Sequence, residues 1–293
     1  MGVQISCLKV DANITSIAFS TNAQLLIGDD TGRIIGVRYN EGSMVVSAVC
    51  NVKMRLAPTF HERGKLDSLK DCTSLQRNIT ALTVIPCNES KICILGFDNG
   101  DVQCYDDRMM SVLIEYGWHF TDEPIVSIGY KRNFHLARSH WSDLDDATAD
   151  VPASIYVHTK NNAAVHDLKS NLSLYLDGIE SEIRNIVFME LRCQPCIVVI
   201  SEYMVYIYDA VQFQHTDTDI YKALHPAKTF TLALGGRLTK AVEIGINAFL
   251  AADSSGELWR IELDAEKVVV QEHEAHSVAA NLEVVDLVSK QLR

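Results

Sequence analysis

The chain has 293 residues, 47% of them hydrophobic and 22% charged, enough apolar material for a sizeable core. A formal net charge of −12 argues against a general nucleic-acid binder, which needs a strongly basic surface. No run approaches the length of an apolar membrane-spanning helix, and residues 1–7 lack the basic-then-apolar order of a secretory signal. Gly2 and Ser6 fit the minimal myristoylation pattern, but residues 3–10 read better as a strand that helps to close the fold.

From there the chain repeats itself. The first copy runs Ile14–Ser20, Gln24–Asp30 and, past a Thr31-Gly32 turn, Arg33–Val37. The second is the clearest: Ile79–Pro86, Lys91–Phe97, an Asp98-Asn99-Gly100 turn, then Asp101–Asp106. The third starts at Ile125–Tyr130, resumes at Ala153–Thr159 and ends on Ala164–Asp167. The fourth reads Ile183–Phe188, Cys196–Ser201 and Met204–Asp209. The fifth reads Leu238–Ile244, Ala248–Asp253 and Gly256–Ile261, and a sixth begins at His276 and runs through Leu282–Val288. Residues 43–49, 111–116, 172–176, 229–234 and 267–271 supply candidates for a fourth strand in each copy.

The runs are rich in Val, Ile, Tyr and Phe and are bounded by turn residues, the composition of strands. Asp-Asn-Gly, Asp-Asp-Thr-Gly and Asp-Ser-Ser-Gly provide the positive-φ positions of tight hairpins. Near-continuous apolar runs such as Cys196–Ile200 suit strands buried on both faces of stacked sheets. A unit of this size cannot bury its own apolar faces, so copies must stack. The expectation is an all-β chain: a β-propeller of four-stranded blades, one domain over residues 1–293, with five recognisable repeats and a partial sixth in a six- or seven-bladed ring. The unfinished sixth copy leaves open a longer natural chain, a degenerate blade in residues 51–78, or a ring completed by a partner.

This pattern resembles the WD-repeat β-propeller family. Tyr105-Asp106, His166-Asp167 and Tyr208-Asp209 stand where that family carries Trp-Asp, and Pro86 stands where it often carries Ser-Pro. No repeat keeps Trp-Asp itself, and only His276 stands for the family's Gly-His. The resemblance implies a surface for protein partners. Tyr105-Asp106-Asp107-Arg108 further resembles the ending by which some members dock on the adaptor of cullin-RING ubiquitin ligases, with Arg108 as the docking residue.

Two insertions interrupt the spacing, at residues 51–78 and 133–152. The first carries Lys53, Arg55, Arg63, Lys65, Lys70 and Arg77 against Glu62, Asp67 and Asp71, a local net charge of +3 in an acidic chain. It is either a solvated loop or a docking loop for an acidic partner, in which Arg55, Arg63, Lys65 and Lys70 make the contact. The second starts basic and ends in Asp143, Asp145, Asp146 and Asp150, a polar spacer. Residues 215–225 form a third polar loop.

Catalytic and metal motifs are sparse. Cys193-Gln-Pro-Cys196 lacks the second pair of a structural zinc site and sits between two strands, which favours a hairpin turn. His273-Glu-Ala-His276 spaces its histidines three apart, not the four of a zinc-protease helix. Among the first runs of the five copies only the fifth holds a carboxylate, Glu243, whereas a propeller hydrolase needs a facing pair. The eight cysteines mostly lie in apolar strands as small buried hydrophobes, consistent with reduced thiols in the cytosol or nucleus. The expected function is that of a non-enzymatic scaffold within a protein complex, using no cofactor and no metal. The alternatives are a ubiquitin-ligase substrate receptor and, behind it, a propeller hydrolase.

Overall fold

The computed structural model describes residues 9–21, 24–40, 43–52, 77–86, 91–106, 117–131, 154–167, 172–192, 194–210, 221–264 and 266–272. These residues are almost wholly strands and tight turns. Packing divides the chain into two compact units, Met1–Asn133 with Leu144–Lys160, and Phe134–Asp143 with Asn161–Arg293.

In the first unit, β1 (Ile14–Thr21), β2 (Gln24–Asp29), β3 (Arg33–Asn40) and β4 (Ser43–Asn51) form an antiparallel sheet in chain order. A second such sheet holds β5 (Ile79–Pro86), β6 (Lys91–Phe97), β7 (Asp101–Asp106) and the two-residue β8 (Trp118–His119). A third begins with β9 (Ser127–Lys131) paired antiparallel to β10 (Ser154–His158). Leu26 and Ile34 of the first sheet share a buried cluster with Ile79, Leu82, Leu95 and Phe97 of the second. Burying one such side chain is worth about 1.5–3 kcal/mol.

Two glycines at one repeat position permit this stacking. A Cβ on Gly28 would stand 2.8 Å from a methyl of Ile79, and one on Gly96 would stand 2.6 Å from a methyl of Ile125. Each thus lets the start of the following repeat, β5 in one case and the residues leading into β9 in the other, approach the backbone.

The second unit contains β11 (Ala163–Asp167) and β12 (Leu172–Leu176), then β13 (Ile183–Leu191), β14 (Gln194–Ser201), β15 (Met204–Asp209), β16 (Tyr221–Leu224) and β17 (Lys228–Thr231). It ends with β18 (Leu238–Gly245), β19 (Ala248–Asp253), β20 (Leu258–Leu263) and β21 (Val268–Glu272). Sheets β13-β14-β15-β17 and β18-β19-β20-β21 stack through Val198, Ile200, Val205, Ala241, Phe249 and Ile261. Between their opening strands, the Asn185 side-chain amide donates to the Ala241 carbonyl at 2.9 Å.

Five strand triplets thus stand where the repeats predict them, and the fourth strands of repeats one, three, four and five are β4, β12, β17 and β21. Three points differ. The fourth strand of the second repeat is β8, after the stretch 111–116, which lies outside the described residues. Residues 221–224, read as polar loop, form β16, which pairs parallel to β12 from Ser173↔Tyr221 to Leu176↔Leu224. And β13 runs on to Leu191, so Glu190 joins Glu243 as a carboxylate on the opening strands. The insertions at 51–78 and 133–152 lie almost wholly outside the described residues, and the partial sixth repeat lies wholly outside them.

Candidate interaction surface

The turns after β2 and β19 are each pinned by a buried aspartate. Asp29 is fully buried and accepts hydrogen bonds from Thr31 N–H at 2.9 Å, Thr31 O–H at 2.8 Å, Arg33 N–H at 2.9 Å and Arg33 Nε–H at 2.7 Å. Asp253 repeats the pattern, accepting from Ser255 N–H at 2.9 Å, Glu257 N–H at 3.0 Å and Trp259 Nε1–H at 2.9 Å. Burial alone would raise both carboxyls, but the hydrogen bonds outweigh it and hold each below the ordinary aspartate value. Gly32, Gly100 and Gly256 close the turns at φ 76°, 80° and 85°. Each donates its N–H to the carbonyl three residues back, at 3.1–3.3 Å.

The opening strands repeat a second device. Thr15, Thr80 and Thr239 each donate a hydroxyl to a second-strand carbonyl, of Gly28, Gly96 and Ala252, at 3.0–3.3 Å. Each lies at a break in strand register, so the hydroxyl serves a carbonyl at the bulge. In the fourth repeat Arg184 takes this place and pairs with Glu182 at 2.8 Å and Glu202 at 2.6 Å.

The aromatic-Asp dipeptides end β7, β11 and β15 as the sequence predicts, with Tyr105, His166 and Tyr208 buried. Tyr208 O–H donates to the Asp177 carbonyl at 2.8 Å, and burial pushes its phenol up. Cys196 opens the buried part of β14, close to the Leu191↔Gln194 end of its ladder with β13, where Arg192 has φ 53°; Cys193 lies outside the described residues. Burial raises the Cys196 and Cys104 thiols, the opposite of a reactive cysteine. Among the described residues no group of three or more His, Cys, Asp or Glu is placed to hold a metal ion. Among them, too, no helix is long and apolar enough to cross a membrane.

The sheet β1–β4 departs from this buried order. Eight of the nine residues of β4 are exposed, Ser43–Val49 and Asn51, with Cys50 half-buried. A bulge between its pairings Gly36↔Ala48 and Val37↔Val46 changes the alternation. It brings Met44, Val46 and Val49 to the face that holds Tyr39, Ile35 and Val37 of β3. That face continues through Ile27 and Leu25 to Ile17 and Phe19 of β1. Its centre, Ile27, Ile35 and Val37, is buried, whereas Phe19 is 76% exposed and Ile17, Tyr39, Met44, Val46 and Val49 are each at least 40% exposed. Six large apolar side chains on the two flanks of one sheet face exceed the scattered exposure normal for a protein surface.

None of the residues singled out for partner binding falls here. Arg55, Arg63, Lys65, Lys70 and Arg108 all lie outside the described residues, as does His273-Glu-Ala-His276. The β1–β4 surface went unseen because each of its strands reads as an ordinary buried strand. Only the bulge, which one sequence does not reveal, lines up its apolar residues.

No protein-family model matches this sequence, and no curated protein does. Among solved structures, the chain is similar to the crystal structure of the WD40 β-propeller domain of Doa1. The TM-score is 0.59 at 10% sequence identity, over 94% of this chain and 73% of that one. Identity at that level speaks for the fold alone. Together with the four-stranded antiparallel sheets, it makes this an all-β chain with the fold of a β-propeller.

Proposed function

We propose that this protein is a non-enzymatic scaffold or adaptor, a subunit of a multiprotein complex of the cytosol or nucleus. The observation that carries the proposal is the β1–β4 surface, apolar and flanked by large exposed side chains on both its inner and outer strands. A propeller fold is a general platform for protein partners, and such a surface is costly to leave in water. The basic stretch at residues 51–78 follows β4 directly and supplies the second half of the proposal, a docking loop for an acidic partner.

The experiment is gentle purification of the tagged chain from its own cells, with mass spectrometry of what remains at equimolar amounts. One or a few stoichiometric proteins are expected. A chain that emerges alone and monodisperse overturns the scaffold function. Once a partner is in hand, replacing Arg55, Arg63, Lys65 and Lys70 by Glu is expected to abolish its binding with the melting temperature unchanged. Undiminished binding removes the docking loop from the proposal.

A further inference from the structure

We propose that β4 takes up a short extended segment of a protein partner as a fifth strand, with a carboxylate of that segment set against Arg38. The inference rests on the scaffold function above and names the chemistry of the partner.

Three observations converge. First, β4 is the outer strand best suited to addition among the described residues. β8 has two residues, β17 carries Lys228, β21 carries Glu272, and β16, which lies outside β12, carries Lys222. β4 has nine residues with no charge and no proline, so it lacks the features by which edge strands repel a new neighbour, save the bulge at Ser47.

Second, the chain already performs this addition on itself. β16 lies parallel to β12 as an added outer strand, with four register pairs. The bulge leaves β4 two regular stretches, Ser43–Val46 and Ala48–Asn51, each of the length that β16 uses.

Third, the charge is placed. Arg38 is exposed, lies directly across from Val45 and shares its face. It makes no ion pair among the described residues, unlike Arg33, Arg184 and Arg192. A residue of an added strand opposite Val45 falls on that same face, within reach of a guanidinium. In a chain of net charge −12 such a cation selects a carboxylate. The partner segment is therefore extended, mostly uncharged and apolar, with one Asp or Glu among its strand residues.

The test uses the full chain and fluorescein-labelled hexapeptides followed by fluorescence polarisation. The probes are fluorescein-β-alanyl-Thr-Val-Asp-Val-Thr-Val-amide, the same peptide with Lys for Asp, and the Asp peptide N-methylated at alternate amides. Saturable binding of the Asp peptide is expected, with at least about tenfold weaker binding of the other two. R38E should invert the preference, favouring the Lys peptide, and V45D with V49D should abolish binding of the Asp peptide. All three positions are exposed, so the melting temperature serves as the folding control. No saturation up to about 1 mM, equal binding of the N-methylated peptide, or an R38E chain that keeps the wild-type preference each overturns the proposal. Light scattering supplies one more outcome. A dimer of the unmixed chain that V49D splits into monomers would mean that a second copy occupies β4, and would overturn it too. Failure here is separable from failure of the scaffold function, which is read from co-purification. The fourfold charge reversal in residues 51–78 leaves peptide affinity unchanged if β4 acts as proposed.

Discussion

Asp253 shows how much of a repeat can hang on one side chain. Its carboxylate collects backbone and side-chain donors from Ser255, Glu257 and Trp259, and thereby fixes the β19–β20 turn. D253N exchanges a charged acceptor for an amide that presents its own N–H groups to those donors. A loss of about 2 kcal/mol in urea denaturation at pH 7 is expected. The carboxyl titrates below the ordinary value of 3.8 in the folded chain, so its stabilisation is whole above that pH. It is lost as the pH falls through the lower folded value. The gap between wild type and D253N should therefore narrow as denaturation is repeated at pH values falling below 3.8. A gap that persists at the acid end would assign the effect to packing. Gly100 makes the complementary point about backbone. At φ 80° it leaves no room for a Cβ, which would overlap the Thr121 carbonyl oxygen. G100A is expected to cost ~3 kcal/mol by the same measurement, well beyond the usual price of replacing a turn glycine.

At the scale of the element, the sequence is most legible where one local rule decides. Turn chemistry placed Thr31-Gly32, Asn99-Gly100 and Ser255-Gly256 correctly, because only glycine adopts those φ values cheaply. Alternation and β-branched content placed the three strands of every repeat, and the aromatic-Asp pairs marked where third strands end. What escaped was decided elsewhere in the chain. β16 contains Lys222 and follows a polar stretch, and it is a strand only because β12 offers it an edge. The register bulge in β4 depends on β3. The basic residues nominated from charge alone sit in a stretch with no strand pattern, so nothing local fixed their geometry. If β16 is held by its ladder to β12, A223P removes one ladder donor and forbids regular pairing. Hydrogen exchange should then quicken along 221–224 and 172–176, with Val198 and Ile200 of the neighbouring core still protected. Quickening throughout β13–β15 would make the added strand part of the core instead.

For the molecule as a whole, the two proposed contacts, one through charge and one through a backbone ladder, should respond differently to salt. A net charge of −12 disfavours acidic partners at long range, and the local net charge of +3 at residues 51–78 has the opposite sign. Contacts that rely on the basic stretch are screened by salt, whereas a backbone ladder along β4 is not. Raising sodium chloride from 50 to 500 mM should weaken a partner held by residues 51–78 by tenfold or more. Affinity of the N-methyl-free peptide for β4 should change by no more than its single ion pair allows, about fivefold. Equal sensitivity of both would mean that one electrostatic site serves both.

The ladder between β12 and β16 also has a mechanical consequence. The chain leaves β12 at Leu176, traverses β13, β14 and β15, and returns at Tyr221, so the two strands tie off a loop that contains most of the fourth repeat. Since β17, outside that loop, is itself paired to β15 inside it, tension from outside loads the β12–β16 ladder, in shear, together with the β15–β17 ladder. Strands β13 and β14 are thus let go only after both ties give way, and the enclosed stretch between Leu176 and Tyr221 should appear in a force trace as a single delayed step of some forty residues.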